Sequence, residues 1–190
     1  PQDISYDGFK AFTKIGNNCV MREYVTIHRG SKPEASTLIG NDCMLMAFSH
    51  VAHDCQIGNH VVIANHSQIA GHVEISDKAI ISGGVFVHQF CKIGAHSFSG
   101  MGTSIGKDVP AYITVAGSPA EAKTINVEGL RRRGFDSAVI TALRRAFKIL
   151  YRQSLTLDAA VERLQAMAAE TPSLQPLIDS LMQSQRGIVR

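Results

Sequence analysis

A bulky aliphatic residue recurs at every sixth position through most of this chain. Eleven of the thirteen such positions between Ile39 and Ala111 are Ile, Leu or Val. The same phase continues upstream at three positions: Ile15, Met21 and Ile27. Pro33 interrupts it, so we expect a loop from about Arg29 to Thr37 within an otherwise continuous repeat.

A second column of small or β-branched residues lies four positions after each aliphatic anchor. It contains Cys43, Ser49, Cys55, Val61, Ser67, Val73, Ala79, Val85, Cys91, Ser97, Thr103 and Val109. This pattern is typical of a solenoid, in which each six-residue unit is a short strand and a corner. The anchor fills the interior, the small residue lets the chain turn, and the glycine that often follows the anchor supplies backbone freedom.

Three such units form a triangular coil of about 18 residues, which is the hexapeptide parallel β-helix. Ile39, Ile57, Ile75 and Ile93 would then stack at the inter-strand spacing of about 4.8 Å. The period also accounts for the four cysteines, since all of them, Cys19 included, fall in the small interior column. We therefore expect small core residues here rather than disulfides, nucleophiles or metal ligands.

The periodicity changes after about residue 120. Asp136 is a suitable N-cap for a helix through Arg152, and a second helix is indicated around Leu157 to Leu164. Thr171-Pro172 is a suitable start for a third. We therefore expect a mainly β protein, with a β-helix domain over 1–120 and a C-terminal α-helical domain over 121–190 that caps the solenoid.

Composition and charge exclude some classes of protein. The chain is 45% hydrophobic and 18% charged, as expected for an ordinary globular protein. No apolar run approaches the ~20 residues of a membrane span, and no signal pattern opens the chain, which favours a cytoplasmic protein. A net charge of +3 is too small to indicate a nucleic-acid partner. Residues 121–190 hold 11 basic and 7 acidic residues, an excess suited to an acidic partner or a phosphate.

Eight histidines concentrate the candidate chemistry. The densest segment contains His50, His53 and Asp54, where a carboxylate next to His53 would hold its tautomer and stabilise the imidazolium. Adjacent residues of a straight strand face opposite ways, so a contact between His53 and Asp54 requires a corner. His72 lies 19 residues after His53, almost one coil further on.

Several motifs resemble the bacterial UDP-N-acetylglucosamine O-acyltransferases that begin lipid A synthesis. They are Pro1-Gln2-Asp3, Val25-Thr26-Ile27-His28-Arg29-Gly30, His50-Val51-Ala52-His53-Asp54-Cys55, Ile69-Ala70-Gly71-His72-Val73, Val87-His88-Gln89-Phe90-Cys91, Asn126 to Phe135, and Arg186-Gly187-Ile188. The repeat is shared by all hexapeptide proteins, whereas the basic Gly-Phe turn joined to a helical tail is far more restrictive. The family has several coils before Pro1, so the resemblance implies a fragment or a trimmed chain.

The resemblance implies a left-handed β-helix, a homotrimer with active sites between subunits, and no cofactor or bound metal. Its donor is 3-hydroxyacyl acyl carrier protein, and its acceptor is the 3-hydroxyl of UDP-N-acetylglucosamine. His53 would be the general base, Asp54 would orient it, and the Gly71 N–H would face the oxyanion. Further residues would contact sugar or acyl groups, namely Asp3, His50, His72 and Gln89. The nucleotide would be held by Asn126, Glu128, Arg132 and Arg133. His28 and His88 are weaker candidates, and Ser5 replaces a family lysine that contacts the sugar.

Met101 aligns with the family position that sets acyl chain length. A small residue there admits a longer chain, so the thioether predicts a shorter donor of about ten carbons rather than about fourteen. The alternative is that Met101 is ordinary packing, since Met is an adaptable filler.

Three rival functions remain open on the sequence. The histidine count permits a hexapeptide zinc enzyme of the carbonic anhydrase type, which uses three histidines at subunit interfaces. The sister N-acyltransferase of the same pathway is a closer rival, although it usually carries an additional N-terminal domain. A non-catalytic solenoid is the third, and it would have no use for the His53–Asp54 segment.

Overall fold

The computed structural model describes residues 2–4 and 6–190 of the chain. Its short strands form three sheets, which we call sheets A, B and C. Sheet A contains β1 (Phe12–Ile15), β4 (Ser36–Ile39), β7 (Gln56–Ile57), β10 (Glu74–Ile75) and β13 (Lys92–Ile93). Sheet B contains β2 (Val20–Met21), β5 (Met44–Leu45), β8 (Val62–Ile63), β11 (Ile80–Ile81), β14 (Phe98–Ser99), β16 (Ile113–Ala116) and β17 (Glu121–Ile125). Sheet C contains β3 (Thr26–Ile27), β6 (His50–Val51), β9 (Gln68–Ile69), β12 (Phe86–Val87) and β15 (Ser104–Ile105).

Successive strands belong to successive sheets, which makes the chain a left-handed parallel β-helix with a triangular cross-section. The anchors stack as the six-residue period predicts. Ile39 pairs in register with Ile57, Ile57 with Ile75, and Ile75 with Ile93. These four side chains are at most 4% exposed, so the core of the solenoid is a continuous aliphatic column.

The residue three positions after each anchor forms the corner. The expectation that the glycine directly after the anchor supplies the backbone freedom for this turn is wrong. Asp54, His60, His72 and most of their counterparts have φ near +60°, a left-handed conformation that costs a non-glycine residue free energy. The glycine after the anchor serves a different purpose. A Cβ on Gly40 would lie 2.6 Å from the Gly58 carbonyl oxygen of the next coil. Glycine therefore permits close approach of coils, not the turn.

The small column is buried as predicted, with one exception. Cys43, Cys55 and Cys91 are at most 1% exposed, whereas Cys19 is half-buried in the first coil, which has a neighbouring coil on one side only within the described part of the chain. All four cysteines are free thiols. Burial raises the pKa of Cys55 to about 12 and that of Cys91 to about 11, so neither provides a thiolate near neutral pH.

The predicted loop occupies residues 28–35, between the end of β3 and the start of β4. Ser36 and Thr37, which we expected at its end, belong to β4. Ile15 pairs with Ile39, a step of 24 residues where the other coils of sheet A take 18. The loop therefore adds one hexad outside the coil, and the register resumes unchanged after it.

The C-terminal part contains four α-helices and one 3₁₀ turn among the described residues. The helices are α1 (Val127–Arg132), α2 (Ser137–Arg152), α3 (Leu157–Ala168) and α4 (Gln175–Met182), and Pro172–Leu174 forms the 3₁₀ turn before α4. The second and third match the predicted helices, and Asp136 is the N-cap residue of α2. The basic turn is partly helical, since Arg131 and Arg132 end α1. None of the helices in the described part of the chain is long and apolar enough to cross a membrane.

The helical lobe is joined to the last coil of the solenoid by polar contacts. Asp108, only 2% exposed, accepts hydrogen bonds from the Ser184 hydroxyl at 2.7 Å and the Gln185 N–H at 3.1 Å. The Tyr112 hydroxyl donates to the Ser173 carbonyl at 3.1 Å. Residues after 120 also add β17 antiparallel to β16 before the helices begin. The division into domains at residue 120 stays a prediction.

Candidate active site

His53 and Asp54 lie at a corner between sheets C and A, just after β6. Asp54 has φ +60°, and this turn lets two consecutive side chains meet. His53 Nδ1 lies 2.8 Å from Asp54 Oδ2. In this pairing the Nδ1–H of His53 donates a hydrogen bond to the carboxylate, which leaves the Nε2 lone pair of His53 free to accept a proton. The contact that the sequence left open is therefore made.

The loop of residues 28–35 completes the environment of Asp54. The Ser31 N–H lies 3.1 Å from both carboxylate oxygens, and the Asp54 N–H donates to the buried Thr37 hydroxyl at 2.8 Å. Burial alone would raise the pKa of Asp54, but the hydrogen bonds from Ser31 and His53 outweigh it and lower that pKa below its ordinary value. Asp54 is therefore ionised at neutral pH and holds the His53 tautomer.

His72 lies one coil beyond this pair, as its spacing predicted. Its Nε2 is 3.7 Å from Asp54 Oδ2, and its ring meets that of His53 edge-on at 5.1 Å between centroids. On its other side the His72 ring stacks on Phe90 at 4.7 Å. Asp54, His72 and Phe90 thus form a column at one corner of the solenoid.

Gly71 lies directly against the imidazole of His53. A Cβ at this position would come within 2.7 Å of His53 Cε1 and Nε2, so only glycine leaves the ring in place. Gly71 is buried, and no acceptor for its N–H is found among residues 2–4 and 6–190. This N–H is thus free to bind a group beside the base.

His53 and Gly71 line one end of a groove of about 750 Å³ on the face of sheet C. The groove extends along the coils to Ser104, Pro119 and their neighbours. His50 also lines it and bonds to Thr26 Oγ1 at 2.8 Å and to Gln2 Nε2 at 3.2 Å. Burial, followed by repulsion from His28, lowers the pKa of His50, so its ring is neutral near pH 7.

The remaining residues predicted to contact sugar or acyl groups, Gln89 and Asp3, do not line the sheet C groove. His88, a weaker candidate, does line the groove, whereas Gln89 is exposed and outside the lining. The His88 Nδ1 lies 3.1 Å from the Gln89 carbonyl oxygen. Asp3 is half-buried and not part of the lining, where Gln2 is found instead. The predicted loss of a sugar contact at Ser5 lies outside the described residues.

A second groove of about 470 Å³ collects the four residues predicted to bind the nucleotide. It lies on the face of sheet B beneath α1. Glu128 and Arg132 are exposed and bonded to each other at 3.0 Å, one helical turn apart. Asn126, only 7% exposed, accepts from the Gly129 N–H at 3.1 Å and donates to the His96 carbonyl at 2.9 Å. Asn126 therefore also caps α1.

Arg133 differs from Arg132 because it is tied to the solenoid. Its guanidinium donates to the Lys78 carbonyl at 2.7 Å and to His96 Nδ1 at 3.3 Å. Burial, together with the charges of Arg133 and Lys78, lowers the pKa of His96 to about 4. The neutral His96 ring therefore serves as an acceptor that holds Arg133 in the second groove.

Met101 lies at the corner between β14 and β15, and its side chain is 84% exposed. It lines neither groove in a single chain. Its place at the corner between sheets B and C puts it between the two grooves. The role of Met101 as a determinant of acyl length stays a prediction.

Sequence reasoning missed three residues that the site depends on. Ser31 lies inside the predicted loop, Thr37 lies at its predicted end, and no feature of the sequence distinguishes His96 among the eight histidines. The break at Pro33 was the available signal for Ser31. A residue is hard to assign when its role depends on a neighbouring coil.

Taken together, the first groove offers an oriented base next to a free N–H donor, with an elongated cleft leading away. This arrangement suits deprotonation of a hydroxyl and stabilisation of an oxyanion. The second groove offers exposed guanidinium groups suited to phosphate. The two grooves lie on different faces of one chain, so one chain alone does not bring them together.

Comparison with known proteins identifies relatives of the whole chain. A family model of bacterial hexapeptide transferases matches residues 36–71, and a model described as UDP-N-acetylglucosamine O-acyltransferase, domain 2, matches residues 108–189. The acyl-[acyl-carrier-protein]–UDP-N-acetylglucosamine O-acyltransferase of Ectopseudomonas mendocina is 52% identical over 189 residues, 99% of this chain and 73% of that protein. Its counterpart in Pseudomonas aeruginosa is 51% identical over the same shares.

Solved structures extend the likeness to three dimensions. The UDP-N-acetylglucosamine O-acyltransferase of Moraxella catarrhalis is 41% identical and superposes with a TM-score of 0.96, over all of this chain and 74% of that one. The Francisella novicida acyltransferase is 39% identical with a TM-score of 0.95, over all of this chain and 70% of that one.

The repeat and the fold thus define a hexapeptide-repeat transferase. Within that class, the chain belongs to the UDP-N-acetylglucosamine O-acyltransferase family.

Proposed function

We propose that this protein moves a 3-hydroxyacyl group from acyl carrier protein to the 3-hydroxyl of UDP-N-acetylglucosamine, the first step of lipid A biosynthesis, and that His53 is the general base. The observation that carries this proposal is the 2.8 Å contact between His53 Nδ1 and Asp54 Oδ2 at the head of the sheet C groove. Acyltransferases of this specificity are the relatives that the chain resembles along 99% of its length.

The proposed reaction proceeds in two steps. The sugar hydroxyl gives its proton to His53 Nε2 as its oxygen attacks the thioester carbonyl. The negative charge that develops on the carbonyl oxygen is stabilised by the Gly71 N–H, a contribution of about 3 kcal/mol for one such donor. The intermediate then collapses, the carbon–sulfur bond breaks, and the thiolate of the carrier takes the proton back from the imidazolium. Asp54 stabilises that imidazolium throughout.

A covalent acyl-enzyme is not part of this mechanism. Cys55 follows Asp54 directly, yet it is fully buried in the solenoid and its thiol donates to the Ala70 carbonyl at 3.1 Å. With its pKa raised to about 12, Cys55 has no reactive thiolate at neutral pH. Direct attack by the sugar hydroxyl needs no such nucleophile.

We further propose a homotrimer, in which the sheet B groove of one subunit faces the sheet C groove of the next. His50, His72, Gln89 and Asp3 would then contact the sugar or acyl group, opposite the residues that hold the nucleotide, Asn126, Glu128, Arg132 and Arg133. This pairing is supported by the separation of the two grooves on one chain. Cyclic association through two different faces closes a ring.

The carrier protein would dock on the basic face of α2. Four exposed basic side chains lie on this helix, namely Arg144, Arg145, Lys148 and Arg152. Such a face attracts an acidic partner and speeds its association. We propose a cytoplasmic location, where the carrier and the sugar nucleotide are both present.

The alternatives considered on the sequence are not favoured. The relatives are O-acyltransferases, which argues against both the N-acyltransferase and the carbonic anhydrase type of zinc enzyme. The site also differs from a three-histidine zinc centre, because a carboxylate separates His53 from His72.

The test measures acyl transfer from 3-hydroxyacyl carrier protein to UDP-N-acetylglucosamine by the purified protein. We expect His53→Ala to lower the rate by about 10²–10⁴-fold, the usual contribution of a general base. His60→Ala is the matched control, since His60 is exposed at another corner. Absence of transfer by the wild-type protein would overturn the proposed activity, and full activity of His53→Ala would remove His53 from its role.

A further inference from the structure

Three side chains at the corner of the sheet C groove bring together atoms of the kind that coordinate metal ions, although the proposed acyl transfer requires no metal. His53, Asp54 and His72 each offer one ligand atom, and the three atoms lie within 4.8 Å of one another. His53 Nδ1 is 2.8 Å from Asp54 Oδ2, and the same oxygen is 3.7 Å from His72 Nε2. Two ligands of a tetrahedral Zn²⁺ ion, each about 2.0 Å from it, are separated by about 3.3 Å. The observed distances lie on either side of that value, so small side-chain rotations suffice.

The cluster is sheltered but reachable from solvent. The side chains of His53, Asp54 and His72 are 21, 12 and 32% exposed. Imidazole nitrogen and carboxylate oxygen are common zinc ligands, and three protein ligands leave a fourth position for water. The Asp54 carboxylate is already held in place, because the Ser31 N–H lies 3.1 Å from both of its oxygens.

We propose that His53, Asp54 and His72 bind one divalent transition-metal ion of the Zn²⁺ type, and that this ion inhibits the protein reversibly. Binding needs only the three side chains, whereas inhibition rests on the proposed role of His53 as base. The ion is therefore a regulator of the site and not a cofactor of the reaction.

Inhibition follows from the two nitrogens of one ring. In the metal-free site Nδ1 of His53 carries the proton and Nε2 accepts. A metal ion on Nδ1 displaces that proton to solvent, and Nε2 takes up a proton from water so that the ring stays neutral. The nitrogen that faced the substrate then has no lone pair to accept the hydroxyl proton. The ion also withdraws Asp54 from its contact with the ring.

The binding test is isothermal titration calorimetry, in which ZnCl₂ is titrated into the chelator-treated protein. We expect one ion per chain, and a dissociation constant raised at least about tenfold in His72→Asn, because one of three ligands is lost. His60→Asn is the matched control. His60 also lies beside a carboxylate, with Nε2 3.9 Å from Asp42 Oδ2, and shares the corner conformation, φ +55° against +61° for His72. Asparagine tolerates this conformation, so both variants keep the backbone.

A second measurement titrates Zn²⁺ into the acyl-transfer assay and then adds a chelator. We expect half-inhibition at the dissociation constant from calorimetry, full recovery with the chelator, and a half-inhibitory concentration raised about tenfold in His72→Asn relative to its own metal-free rate. Each variant is compared with itself, because His72 is also predicted to contact substrate.

The outcomes separate the two proposals. No zinc binding, or binding that His72→Asn leaves unchanged, would overturn the metal site. Binding weakened by His72→Asn in a protein that lacks acyl-transfer activity would support the metal site and reject the proposed function. Binding at full strength to an active protein that is not inhibited would refute the inhibitory role.

Discussion

Gly71 is in contact with the imidazole of His53, and a single methyl group at Gly71 would lie 2.7 Å from the Nε2 atom of that ring. The backbone at Gly71 does not require glycine, since its φ is not positive. Glycine is therefore required at this position to leave space for the His53 imidazole. A substitution at Gly71 can therefore displace the His53 ring while His53 itself is retained.

We expect Gly71→Ala to lower kcat by about 10²-fold while the protein stays folded, because displacing a reacting group by about 1 Å has that effect. Gly83→Ala is the control. Gly83 occupies the same place in another hexad, and its Cβ would meet only the Asn65 carbonyl oxygen at 3.4 Å. Steady-state kinetics together with thermal melting will check both variants. Equal kcat in the two would disprove the steric argument.

Asp54→Asn should lower kcat by about 10²–10⁴-fold with little change in stability. An amide no longer fixes the His53 tautomer or stabilises the imidazolium, whereas φ +60° suits asparagine. Asp42→Asn serves as control, because Asp42 has the same corner conformation at φ +55° and is exposed. If both variants were equally active, Asp54 would not orient the base.

Met101→Gly should shift donor preference from about ten acyl carbons towards about fourteen, because in the proposed trimer the smaller residue would leave room for a longer acyl chain. Competition between the two carrier-bound donors measures the ratio directly. Met101→Leu keeps the bulk and should keep the preference. An unchanged ratio in Met101→Gly would show that Met101 is ordinary packing.

Arg132 and Arg133 should respond differently to truncation. Arg132→Ala removes an exposed guanidinium, so we expect KM for UDP-N-acetylglucosamine to rise about tenfold, equivalent to about 1.4 kcal/mol, with the melting temperature unchanged. Arg133→Ala should also lower the melting temperature, since it strips the Lys78 carbonyl and His96 Nδ1 of a donor. Equal melting temperatures would show that Arg133 does not hold α1.

His96 should make the fold sensitive to acid. Its pKa is lowered to about 4 in the folded protein, against 6.5 for an unperturbed histidine. Between these values the unfolded chain binds the proton and the folded chain does not. Stability contributed by the neutral ring is therefore complete above pH 6.5 and is lost progressively as the pH falls towards 4.

Replacing His96 by Asn should flatten that part of the pH dependence, as measured by urea midpoints at pH 7 and pH 5. The exposed His66, at φ +59° like His96, gives the control His66→Asn. A wild-type slope retained in His96→Asn would assign the acid sensitivity to other groups.

The fold was largely predictable because its period is short and strict. Ile39 to Ile93 stack as their spacing indicates, and the helices from Ser137 and Leu157 begin at the residues that the capping and apolar patterns favour. The predicted role of glycine was wrong. The left-handed corner conformation is adopted mainly by residues such as Asp, His and Phe, whereas Gly40 is needed where the chain approaches a carbonyl of the next coil. That approach joins two coils, so the sequence alone does not reveal it.

The candidate site was predictable along one strand and less so between coils. His53 and Asp54 are adjacent, so their pairing needed only a corner. His96 and Arg133 are 37 residues apart, and their contact depends on where α1 meets the solenoid. The residues predicted to bind the nucleotide lie in a separate groove because of how α1 is attached to β17, which the local sequence pattern does not encode.

The loop of residues 28–35 adds a contact to the candidate site without changing the register of the solenoid. One hexad leaves the coil after β3, turns the Ser31 N–H onto Asp54, and returns with the count of six intact. Because the detour is a whole multiple of the repeat, every later strand keeps its partner. A hexapeptide solenoid can therefore accept loop insertions whose length is a multiple of six residues. The sequence of each such loop can vary without changing the pairing of the strands that follow it.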